Sequence, residues 1–135
     1  MSGRPTGSPR PTSEMDRLPP MGHYVLGLLR RGSKLTSLSS KAENHLQEAH
    51  LAHLRRLREQ GDLIIHGPIE GNSDLRGILI FRTESVEVAR HLMQNDPWVI
   101  RGVLVLELHS WFAPSGLEVA PPTGASPERD HASTH

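Results

Sequence analysis

The chain of 135 residues contains no cysteine. That excludes disulfides, thiolate metal sites and thiol nucleophiles, and it leaves the redox compartment open. Aromatic residues are also scarce, with two Trp, one Tyr and two Phe. Neither charge sign is in excess: 15 Lys and Arg balance 15 Asp and Glu. No basic block or aromatic-interleaved basic patch points to nucleic acid, and there is no acidic tail. Pairs such as Arg30-Arg31 and Arg55-Arg56 are too short for a binding stripe and read as solvated charge. No signal-like apolar run opens the chain and no stretch has the length of a membrane helix, so the expectation is a cytoplasmic protein without a membrane partner.

One folded domain is expected at this length. Residues 1–20 hold five Pro, two Gly, three Ser and two Thr and read as a disordered tail, as do residues 118–135. His131 and His135 lie in that second tail. The folded part is then residues 21–117.

Within it, the periodicities alternate. His23 to Arg30 reads as a strand stopped at Gly32, followed by a Ser/Thr loop. Ser40-Lys-Ala-Glu43 has the form of a capping box and opens a helix that ends at Gly61. Asp62 to Ile65 is a short strand ended by Gly67-Pro68, and Arg76 to Arg82 is a third strand. Ser85 caps a second helix from Val86 to about Asn95, with Val86, Ala89, Leu92 and Met93 inward and Asp96-Pro97 as its stop. Val103 to Trp111 is the last strand. The order β-α-β-β-α-β predicts an α+β, ferredoxin-like fold: an antiparallel sheet with both helices on one face. The last strand is apolar on both sides, which calls for a cover over the second sheet face; a second copy of the chain, forming a homodimer, is the simplest one.

The first helix carries an anomaly. At about 100° per residue, Leu46, His50, His53 and Leu57 share the stripe that a helix buries. Imidazoles there are either hydrogen-bonded core residues or a base facing a cleft, since histidine titrates near working pH. The two could also ligate a metal, but no third ligand has recognisable spacing, so no metal site is expected. His45 points to solvent.

Asp96 is the second anomaly. A carboxylate at a helix C-terminus meets the negative end of the macrodipole, at a cost of roughly 0.3–1 kcal/mol. It is either ordinary Asp-Pro turn chemistry or the partner that holds a histidine tautomer. Glu107 and His109 share one face of the last strand, solvated if that strand is an edge and otherwise able to line a cleft. Arg76 opens its strand where a guanidinium can clamp a substrate carboxylate. No nucleophile elbow and no phosphate loop is present; GPIEGNSDLRG has no lysine and opens no helix.

The segments AHLAHLRRLREQGDLIIHGP, DLRGILIF and NDPWVIRGVLVLELHSW together resemble the YCII-related (YciI-like) proteins over about Tyr24 to Phe112. The resemblance implies a dimeric α+β barrel and a site built on one histidine and one aspartate, which fall on His50 and Asp96. His53 occupies a position the family leaves variable. His66 stands where a small residue is common, and Gln47 replaces an arginine found in some members. The implied chemistry is lyase- or isomerase-like proton transfer on small organic molecules, sometimes aromatic or halogenated.

The expectation is thus a small-molecule enzyme that needs no cofactor when the substrate proton is already acidic. His50 and Asp96 would be catalytic, with His53, Gly67, Pro68, Arg76 and His109 around the substrate. The competing expectation is a non-catalytic ligand-binding or accessory module of the same fold.

Overall fold

The computed structural model describes residues 18–33 and 39–121. The Ser/Thr loop at 34–38 and most of both expected tails, with His131 and His135, lie outside the described residues. Seven elements follow one another: β1 (Met21–Arg31), α1 (Ser40–Glu59), β2 (Leu63–Pro68), β3 (Leu75–Phe81), α2 (Val86–Met93), α3 (Pro97–Ile100) and β4 (Leu104–Pro114). The strands form one sheet in the order β2-β3-β1-β4, with every neighbouring pair antiparallel. This is the ferredoxin-like α+β arrangement, with the helices on one face.

The two faces follow from strand alternation. Val25 and Leu29 of β1 and Leu79 and Phe81 of β3 point toward the helices. There they join Leu54 and Leu57 of α1 and Ala89 and Met93 of α2 in the main core. Tyr24, Ile64, Ile80 and Ala113 form a smaller cluster on the other face, with Leu26, Ile78 and Leu117 against it. Leu63 pairs with Phe81 and Ile65 with Ile80, so Ile64 is the extra residue of a bulge. Leu63 and Ile64 are both buried, one in each cluster, as strand alternation places them, and the bulge shifts the register after Leu63.

Three local expectations are corrected. The N-cap of α1 is Ser39, not Ser40: its backbone is extended and its hydroxyl accepts from the Ala42 amide. Of two adjacent serines, the cap is the one that stays outside the helical dihedrals. β2 does not stop before Gly67-Pro68 but runs through Pro68, which pairs with Gly77. An edge strand tolerates proline because one side of its backbone has no partner to supply. Asp96-Pro97 does not merely stop α2; it starts α3. By contrast, Gly61 follows the C-cap of α1 with φ of 86°, the left-handed position a helix terminator needs. Ser85 caps α2 by accepting from the Val88 amide.

The β1–β4 pairing is sealed at its end by two glycines. The Gly32 amide donates to the Val103 carbonyl at 2.8 Å. A Cβ on Gly32 would stand 2.1 Å from the Gly102 carbonyl oxygen. Backbone, not a flexible side chain, blocks that space. Gly32→Ala is therefore expected to destabilise the fold by about 1–3 kcal/mol, as overpacking does, read as a lowered urea midpoint with an unchanged slope.

Candidate active site

Asp96 is fully buried at the α2–α3 junction. Its Oδ1 accepts from the Trp98 amide at 3.0 Å and the Val99 amide at 3.3 Å. Pro97 fills the first helical position, where a missing N–H costs nothing. The dipole conflict expected at a helix C-terminus is thus resolved, because the carboxylate sits at the positive end of the next helix. Its second oxygen is left free to face α1. There Asp96 Oδ2 lies 2.7 Å from His50 Nδ1. The carboxylate accepts, so the proton of the neutral ring is on Nδ1 and Nε2 keeps its lone pair. Trp98 stands edge-on to the His50 ring with centroids 6.1 Å apart.

His50 lies on the wall of a cavity of about 540 Å³ between α1 and the sheet. This volume lies within the range of small-molecule sites. Gly67, Pro68 and Arg76 line the same cavity, so the structure brings four of the expected site residues together there. Asp96 stands behind His50 and does not line the cavity. The Arg76 guanidinium is tied to its own loop through the Gly71 carbonyl at 3.1 Å, which leaves other N–H groups unengaged.

Two of the expected site residues lie away from the cavity. His53 is buried but does not line the cavity. Its Nε2–H donates to the Leu92 carbonyl at 3.0 Å, and its Nδ1 accepts from Arg56 Nη2 at 3.3 Å. It is a hydrogen-bonded core histidine that pins α1 to α2, and it does not share a ligand position with His50. Among the described residues no group of three His, Asp or Glu side chains could hold a metal ion. His109 belongs to the other face of the sheet: it pairs with Leu26, on an edge strand, and its Nε2 meets Glu107 Oε2 at 2.6 Å. Glu107 also accepts from Arg30 Nε at 2.6 Å. The hydrogen bond from Arg30, then that from His109, holds the Glu107 carboxyl below the usual carboxylate range.

Sequence reading missed Trp98, Glu43 and Asn44 as cavity residues. The signal for Trp98 was its place directly after Asp-Pro, which is also an N-cap followed by a first-turn proline. His66 lines the cavity across from α1, and burial, then Arg58, then His50 lower its pKa.

An α+β domain with a buried His–Asp pair beside a small-molecule-sized cavity is the class that fold and site define. A family model described as the YCII-related domain matches residues 28–111, and the chain belongs to that family. No curated protein matches the chain. Among solved structures, it is similar to the 5-chloro-2-hydroxyhydroquinone dehydrochlorinase TftG from Burkholderia phenoliruptrix AC1100, in complex with 2,5-dihydroxybenzoquinone. The identity is 21%, 67% of this chain and 93% of that chain are covered, and the TM-score is 0.47. Among the described residues no helix is long and apolar enough to cross a membrane.

Two outcomes follow from this geometry. In Asp96→Asn the amide oxygen still caps α3, but the amide nitrogen faces His50 Nδ1 and moves the ring proton to Nε2, visible in imidazole 15N shifts. In Asp96→Ala the cap and the buried acceptor are both lost, at about 2–4 kcal/mol, readable by urea unfolding. For His66 the sign runs downward with acid. Its folded pKa lies below its unfolded value near 6.5, so the unfolded chain binds more protons in that window. The His66 contribution is present above about pH 6.5 and is lost as pH falls through the folded pKa. His66→Gln should flatten that part of the acid decline in a pH series of urea midpoints.

Proposed function

We propose that the protein is a small-molecule enzyme of the lyase or isomerase type. His50 Nε2 takes an acidic proton from a substrate in the cavity. Asp96 holds the ring in the required tautomer and offsets the charge that the ring gains. One observation carries this reading: the 2.7 Å bond from His50 Nδ1 to a buried carboxylate, on a ring that also borders the cavity. With Nδ1 committed, Nε2 is the ring nitrogen left for chemistry. Arg76 faces an anionic or carbonyl oxygen of the substrate, and Gly67-Pro68 form an apolar wall. Where carbonyl or hydroxy groups of the substrate spread the developing negative charge, an imidazole base can remove such a proton without a cofactor.

The test is hydrogen exchange. A panel of small cyclic enones with hydroxy, keto or halogen substituents is incubated in D2O and followed by NMR. Wild type is expected to exchange one C–H of its substrate, and His50→Gln to lose about 10²–10⁴ of that rate. Binding without exchange, equal in wild type and His50→Gln, identifies a non-catalytic ligand-binding module instead.

The reading includes a homodimer. Leu26 and Ile78 are only partly buried on the open sheet face, and Val105 and Trp111 are exposed there, beside the charged Arg30–Glu107–His109 cluster. A second copy laid face to face would cover them. Wild type is expected to sediment as a dimer, and the double variant Val105→Glu/Trp111→Glu as a folded monomer. A wild type that stays monomeric into the high micromolar range removes this part of the reading.

A further inference from the structure

A second depression adjoins the cavity, lined by Leu51, Arg55, Arg58, Glu59 and His66. It shares Leu51 and His66 with the His50 cavity, so the two are neighbours across those side chains. Leu51, Arg55 and Arg58 stand at i, i+4 and i+7 on one stripe of α1. Arg56, between them in sequence, turns instead to His53. Among the described residues neither Arg55 nor Arg58 forms an ion pair. One carboxylate, Glu59, faces two guanidiniums, which leaves the groove net positive. His66 stands between the two sites, and burial, then Arg58, then His50 disfavour its protonation.

We propose that this groove is an anion subsite that extends the His50 cavity, a proposal that rests on reading that cavity as the substrate site. The ligand is a small organic acid. Its reacting end lies at His50, and its carboxylate or phosphate lies between Arg55 and Arg58, past the ring of His66. Guanidinium forks match the paired oxygens of either acid group. α1 rises about 1.5 Å per residue, which sets Arg55 and Arg58 roughly 8–12 Å along the helix from His50. A six-membered ring bearing a short acidic side chain covers that span.

The full-length protein is titrated with inorganic phosphate and, separately, with glutarate, while the histidine ring resonances are followed by NMR. Saturable shifts at His66 are expected with at least one of the two, and which one identifies the acid group. The apparent affinity should fall as salt rises toward 0.15 M, where the Debye length is about 8 Å. Arg55→Gln and Arg58→Gln should each weaken binding about tenfold, the equivalent of one charge-assisted hydrogen bond. His50→Gln should leave it unchanged. No saturable shift, or the same affinity in the Arg55→Gln/Arg58→Gln double variant, overturns the subsite. The two readings separate cleanly: losing proton exchange in His50→Gln while anion binding persists supports both. Anion binding that depends on Arg55 and Arg58 in a protein without exchange supports the subsite alone.

Discussion

The Asp96 carboxylate is the interaction on which the site depends. It makes three hydrogen bonds, two to the first amides of α3 and one to His50 in the middle of α1. Folding a charge into a fully buried position is costly unless every lone pair finds a donor, and here local backbone supplies two of them. The third donor comes from 46 residues earlier in the chain. One side chain therefore begins α3 and ties it to the middle of α1. Leu46, Trp98 and Val103 pack together as a separate small cluster around this junction, so the orientation of His50 is held by packing as well as by hydrogen bonding.

The histidine pair on α1 shows how similar residues on one stripe come to differ. His50 and His53 are equally buried. His53 finds a main-chain carbonyl and an arginine, which satisfies both ring nitrogens inside the helical layer. His50 finds a carboxylate on one nitrogen and the cavity on its other side. A one-turn displacement along the helix separates a structural pin from a candidate base.

Much of this was legible in the sequence. The buried stripe of α1, the cap at Ser85, the left-handed Gly61 and the strand order all express local periodicity or special dihedrals, which a sequence carries openly. The meeting of His50 and Asp96 was legible because each broke a local rule. Other features depended on long-range placement. Pro68 reads as a strand stop unless β2 is known to be an edge. Asp96-Pro97 reads as a helix stop unless the four residues after it are seen to turn. His109 reads as a cavity residue until the register with Leu26 assigns it to the other face. The cavity walls at Glu43, Asn44 and Trp98 come from the tilt of helix against sheet, which no periodicity reports.

The sheet has two unlike borders. β2 is six residues long, bulged at Ile64 and finished by a proline that has no N–H to offer. β4 is eleven residues long and pairs with β1 along its whole length. Free main-chain groups along the border of a sheet are a template for further strands. On the β2 side that template is short, interrupted and missing a donor. The two borders therefore differ in stickiness: any unwanted growth of the sheet by strand addition, under stress or at high concentration, is directed to the β4 side. The same proline that shapes the cavity wall also guards the border beside it.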